Sequence, residues 1–104
     1  MHNRSMTFAA LIEYSPDKDK VLEHRPPHRA YLGQLKSTGK LVVAGPFRDF
    51  TGGFIVYDVE TEADVEPLIK NDPFYLGGVF SKWTIYPWSP VFANYAKLPE
   101  VPPA

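Results

Sequence analysis

Three residues of this 104-residue chain, His28, Asp72 and Arg25, have side chains and positions suited to chemistry. An imidazole titrates near neutral pH and so serves as general base or acid. A carboxylate beside it fixes the ring and stabilises its protonated form. A guanidinium binds a carboxylate or an oxyanion through two parallel hydrogen bonds. His28 stands in HRPPHRAYL (residues 24–32), where it opens a helical stripe: His28, Tyr31, Leu32 and Leu35 fall at i, i+3, i+4 and i+7. Val65, Leu68, Ile69 and Asp72 repeat that spacing, which makes Asp72 the last member of a second stripe. Each residue also has a plainer reading. A histidine on an apolar helix face is commonly a packed core residue, Asp-Pro commonly ends a helix in a turn, and a lone arginine is commonly solvated.

Whether His28 and Asp72 meet depends on the elements that carry them. Thr7–Tyr14 (TFAALIEY) reads as a central strand, apolar on both faces. After the polar SPDKDK, Pro26-Pro27 predicts a break: a short helical turn over 18–24, then the main helix from Pro26 to Thr38, with Gly39 at its C-terminal stop. Lys40–Pro46 and 53–59 (GFIVYDV) read as a hairpin around the turn-rich PFRDFTGG. Thr61 and Asp64 open a second helix, TEADVEPLIKN, with Pro67 inside it and Asp72-Pro73 closing it. Phe74–Gly78 reads as a connector and Val79–Trp88 as the last strand.

The order βαββαβ is the ferredoxin-like arrangement of the α+β class: one antiparallel sheet in the order 4-1-3-2, with two helices on one face. In that topology the helices are antiparallel, so the start of the first and the end of the second share one edge of the domain. His28 and Asp72 are expected to converge there, near Tyr14 and the 46–53 turn. The aromatics Tyr14, Phe47, Phe50, Phe74, Tyr75 and Trp88 are mostly core by type, but several fall at the same edge and would wall a pocket for a small ring-containing molecule. The uncovered sheet face predicts pairing with a second copy, a homodimer.

Composition narrows the functions. The chain is one domain with a core over about residues 6–88 and a Pro-rich extension over 89–104. That tail holds Val91, Phe92, Tyr95 and Leu98, apolar enough to pack on its own domain or on a partner. Net charge is −1, with both signs interspersed, so no basic stripe exists for a nucleic acid or an anionic membrane. The absence of cysteine removes disulfides, thiolate catalysis and zinc-thiolate sites. No apolar run approaches a membrane span, and a cytoplasmic protein is the expectation. His24 and His28 have the i, i+4 spacing of zinc helices, but the prolines between them argue against one regular helix, and His2 lies in a polar leader. No metal and no other cofactor is therefore expected. The short GGF and LGGV stretches make no phosphate loop.

Two longer stretches carry a family resemblance. RPPHRAYLGQLKSTGKLVVAGPF resembles the YCII-related pattern of Arg-Pro-x-His, an aliphatic helix, Gly-x-Leu and Ala-Gly-Pro. NDPFYLGGVFSKWTIYPW is similar to that family's Asp-Pro-Phe, a glycine, and a last strand ending in Pro-Trp. The resemblance spans about residues 6–88. It implies a dimeric ferredoxin-like α/β barrel, similar in fold to muconolactone isomerase-like proteins, with His28 and Asp72 as an active-site pair. The family includes a dehydrochlorinase that acts on a chlorinated hydroxyhydroquinone. The chain departs from the family in having Thr51-Gly52-Gly53 where members often carry a serine, and in its longer tail.

The expected function is a small cofactor-independent enzyme that moves protons on a small cyclic or aromatic substrate, isomerase- or lyase-like. His28 is then the base or acid, Asp72 its orienting partner, and Arg25, Tyr14 and Phe74 bind substrate. The alternative is a non-catalytic dimeric module that binds a small ligand or stabilises a partner protein. A heme-dependent relative on the same fold fits less well, because His28 is the sole evident ligand and its pairing with Asp72 would waste it.

Overall fold

The computed structural model describes residues 6–98. The leader containing His2 and residues 99–104 of the tail lie outside that range. Strand β1 (Met6–Tyr14) leads to helix α1 (Lys18–Ser37), then β2 (Leu41–Pro46), β3 (Gly52–Val59), two short helices α2 (Val65–Lys70) and α3 (Pro73–Leu76), and β4 (Phe80–Pro87). The sheet order is β2-β3-β1-β4, with every neighbouring pair antiparallel. This is the expected 4-1-3-2 order of a ferredoxin-like α+β fold.

Alternation along the strands sorts side chains between two faces. Phe8, Ala10, Ile12 and Tyr14 of β1 join Ile55 and Tyr57 of β3 and Phe80 of β4 in the core. Val21 and Leu35 of α1, Val65 and Ile69 of α2, and Phe74 of α3 close over them. The opposite face carries Ala9 against Val56 and Tyr86, and Leu11 against Phe54 and Thr84. No helix covers it among the described residues, and Leu11 and Tyr86 are 42 % and 50 % exposed.

Two helical expectations are corrected. Pro26 and Pro27 do not break the first helix: α1 runs unbroken through both, over 20 residues. Each proline lacks the N–H that would bond four residues back, which frees the carbonyls of Leu22 and Glu23. Leu22, Glu23 and both prolines are exposed, so solvent reaches the freed groups and the turn survives. Asp17 starts the helix, its carboxylate accepting the N–H groups of Asp19 and Lys20 at 3.1 and 3.2 Å. Gly39, at φ 81°, supplies the left-handed residue just past the end.

The second helix is not one helix. Residues 62–64 form a 3-10 turn in which the Asp64 carboxylate accepts from both the N–H and the hydroxyl of Thr61. The α-helix proper covers only Val65–Lys70. Asp72 stands outside it in an extended conformation (φ −71°, ψ 132°) and caps the next helix, Pro73–Leu76. Residues expected as a connector are thus partly helical. Proline at the first position of α3 fits this, since its missing N–H would be unpaired there anyway.

The tail bonds to β1 through Trp88, whose N–H donates to the Thr7 carbonyl at 3.0 Å. Beyond it the described tail packs little on the chain's own domain: Leu98 reaches the lining of a cleft but stays 55 % exposed. Val91, Phe92 and Tyr95 stand in solvent, Phe92 at 94 % exposure.

Candidate active site

The edge of the domain where β1 ends, α1 begins its third turn and α3 starts is a cleft of about 620 Å³. Helix α1 forms one wall with Arg25, His28, Arg29, Leu32 and Lys36, and β2 forms the other. Tyr14, Phe50 and Phe74 line it as well, and Leu98 of the tail reaches it. Three cationic side chains face this space, and none of its lining residues is a carboxylate.

Asp72 sits behind the wall with no exposed surface, and His28 is 6 % exposed. The imidazole Nδ1 donates to Asp72 Oδ1 at 2.6 Å, a short charge-assisted hydrogen bond. A carboxylate only accepts, so Nδ1 carries the hydrogen and Nε2 of the neutral ring keeps its lone pair. The same Oδ1 accepts the Phe74 N–H at 2.9 Å as the cap of α3. Phe74 in turn stacks on the imidazole, with ring centres 3.7 Å apart and planes 6° from parallel. One carboxylate oxygen therefore positions both the histidine and the aromatic plate beneath it. The second oxygen, Oδ2, is buried without a hydrogen-bond partner among the described residues. Its charge is available to stabilise the positive ring formed when His28 takes a proton.

Tyr14 ends β1 edge-on to Phe74 at 5.3 Å and stacked with Phe80 at 6.1 Å. Burial, then the charge of Asp72, pushes its hydroxyl up to about 12, with Arg25 and Arg29 pulling the other way. It is consequently a neutral hydrogen-bond donor at physiological pH. Its hydroxyl fills space that only glycine leaves: a Cβ on Gly53 would lie 2.5 Å from the Tyr14 oxygen. Where a serine at the start of this strand would offer a hydroxyl, this chain has one arriving from β1 instead.

Arg25 lies over the ring of Phe50, its guanidinium carbon 5.1 Å from the ring centre. Phe50 occupies the 47–51 turn with φ 61°, the sole positive φ outside glycine among the described residues. For a residue with a Cβ that conformation costs roughly 1–2 kcal/mol.

All five residues singled out in the sequence, Tyr14, Arg25, His28, Asp72 and Phe74, thus lie in or directly behind this cleft. Asp72 reaches it as a helix cap, whereas the spacing had placed it as the last residue of a stripe. The prolines do not separate His24 from His28; both lie on α1. The His24 ring is turned to its own helix, Nδ1 donating to the Lys20 carbonyl at 2.9 Å, and rests on Gly77. Arg29 was missed. Arg29, four residues after Arg25, becomes a candidate once the helix is continuous. Phe50 lines the cleft as one of the expected aromatic walls, while its contact with Arg25 has no sequence signal.

The fold and sequence have relatives. A solved structure, 5-chloro-2-hydroxyhydroquinone dehydrochlorinase from Burkholderia phenoliruptrix AC1100 in complex with 2,5-dihydroxybenzoquinone, is 28 % identical with a TM-score of 0.72, over 81 % of this chain and 94 % of that one. A protein of Pseudomonas aeruginosa shares the fold at 15 % identity and a TM-score of 0.57, over 88 % of this chain and 99 % of that one. An antibiotic biosynthesis monooxygenase-type protein of Bacteriodes thetaiotaomicron VPI-5482 does so at 14 % and 0.58, over 86 % and 91 %. No curated protein matches the chain. The profile of the YCII-related domain matches residues 6–89, most of the chain, and the protein belongs to the YCII-related family.

Proposed function

We propose that the protein is a cofactor-independent enzyme that transfers protons on a small cyclic or aromatic substrate, with His28 as the base and Asp72 as its orienting partner. The observation that carries this reading is the 2.6 Å bond from Nδ1 to a fully buried carboxylate in the wall of an aromatic-lined cleft. It leaves Nε2 as the one ring nitrogen able to accept a proton from a bound molecule. Nε2 takes a proton from a carbon or hydroxyl of the substrate. The electron pair left behind moves into the ring system as an enolate, or expels a leaving group together with its bonding pair. The imidazolium returns the proton to another atom in an isomerisation, or gives it to solvent in an elimination. Tyr14 donates a hydrogen bond to the oxygen on which charge develops, and Arg25 binds an anionic oxygen of the substrate. The 28 % identical dehydrochlorinase, solved with 2,5-dihydroxybenzoquinone, supports a substrate of this size and shape.

The uncovered sheet face supports a dimer. Leu11, Phe54 and Tyr86 form a partly exposed apolar band on it, over the already buried Ala9 and Val56, edged by the Lys82–Glu13 ion pair at 3.5 Å. A second copy buries such a face most simply by presenting the same one.

Chloride release from a chlorinated hydroxyhydroquinone tests the chemistry. His28→Gln and Asp72→Asn are the informative variants, because asparagine still caps α3 while losing the charge. Each is expected to lose about 10²–10⁴ in kcat, the worth of a positioned general base. Unchanged turnover in His28→Gln sinks the proposal. Loss of melting temperature with binding retained identifies the non-catalytic binding module instead.

A further inference from the structure

A turn needs flexible or small residues at positive φ, and glycine takes that conformation without strain. Glycines stand two and three residues after Phe50, yet the left-handed position of this turn is occupied by a phenylalanine. The turn is held from several sides. Phe47 N–H donates to Gly52 O at 2.8 Å and Phe50 N–H to Phe47 O at 2.9 Å. Asp49 Oδ1 accepts both the N–H and the hydroxyl of Thr51, at 3.0 and 2.8 Å, and Lys18 Nζ donates to the Asp49 carbonyl at 2.8 Å. Strain that a surrounding network maintains commonly marks a working site. The strained residue lines the same cleft as His28, and its ring lies against Arg25. Among the described residues Arg25 joins no ion pair, so the aromatic face is its one specific partner.

We propose that Phe50 is a positioning residue: its strained backbone holds the ring where it docks the Arg25 guanidinium at the cleft, as the anchor for an anionic oxygen of a planar ligand. This deepens the proton-transfer reading and rests on it. The ligand class follows from the lining, which pairs aromatic walls with Arg25, Arg29 and Lys36 and offers no carboxylate. A planar acid, ionised in water, matches both features. The ring face attracts the cation by its quadrupole and leaves the guanidinium edge free for the ligand.

The probe is 2,5-dihydroxybenzoquinone, titrated optically into the wild type, Phe50→Gly and Phe50→Tyr. The glycine variant removes ring and strain together. It is expected to bind about tenfold more weakly while its melting temperature stays level or rises by up to about 4–8 °C. The tyrosine variant keeps the ring and is expected to bind like the wild type. Without any ligand, the Arg25 Nε–H resonance should be shifted by the ring current in wild type and Phe50→Tyr, and relax in Phe50→Gly. The assignment is overturned by glycine-variant binding equal to wild type, by an unmoved Arg25 resonance, or by a weaker-binding glycine variant that also melts several degrees lower. Failure of the wild type to bind the probe overturns this assignment, whereas the proton-transfer reading falls with unchanged turnover in His28→Gln. Wild-type binding that ignores Phe50 overturns this assignment alone.

Discussion

Tyr14 shows how a residue's surroundings set its chemistry. Its hydroxyl is held protonated, up to about 12, first by burial and then by the Asp72 charge. In the unfolded chain a tyrosine ionises near 10, so between about pH 10 and 12 unfolding releases a proton that the folded state retains. Stability from this group is therefore complete below about pH 10 and is lost as pH climbs, by about 2–3 kcal/mol across the interval. Tyr57 acts in the same direction, raised by burial and then by Asp72. Urea midpoints should fall steeply above pH 10, and Tyr14→Phe should flatten part of the fall. A midpoint unchanged to pH 11 would show that the hydroxyl is not buried as described. His28 was visible at this scale from the sequence, by type and by place on a stripe. Its hydrogen-bond geometry was not, because the partner lies 44 residues away.

At the scale of elements, the entry to β3 shows how backbone approach constrains a site. A Cβ on Gly52 would collide with the Ile12 carbonyl across the β1–β3 ladder, and backbone cannot yield. A Cβ on Gly53 would meet the Tyr14 hydroxyl and sit 3.1 Å from the Gly45 carbonyl, a milder clash that the Tyr14 side chain must relieve by moving. Gly52→Ala is accordingly expected to destabilise by about 2–3 kcal/mol and Gly53→Ala by about 1 kcal/mol. Gly53→Ala should also weaken turnover by displacing Tyr14. Thermal melts with activity assays check the pair, and the reverse order of stability would contradict the packing described. The strands were legible because alternation and β-branched residues mark them within one or two residues. The helices were less so: the proline pair misled because its cost depends on whether solvent reaches the freed carbonyls. Asp72 misled because periodicity does not distinguish the last turn of one helix from the cap of the next.

The whole molecule leaves one sheet face and much of the tail unmatched. Phe92, Val91 and Tyr95 are more exposed than apolar residues of a self-sufficient domain need be. Leu98, by contrast, lies at the cleft, so the extension links the far end of the sheet to the site. Light scattering is expected to give a dimer for the wild type and a monomer for Leu11→Lys, which puts a charge in the middle of the open face. A monomeric wild type at micromolar concentration would refute the pairing. No helix among the described residues is long and apolar enough to cross a membrane.

Strand order and fold class were determined by the sequence itself, because period-two patterning, turn residues and connection rules act locally and leave few topologies. The same reasoning named Tyr14, Arg25, His28, Asp72 and Phe74. The tertiary structure alone decided how they work together. The shared Asp72 oxygen, the Phe74 plate under the imidazole, the Tyr14 hydroxyl in the space of a missing Cβ and the strained Phe50 under Arg25 are relations between residues far apart in the chain. Distances of that kind are set by packing, in which every neighbour has a vote, and no local pattern of residue types encodes them.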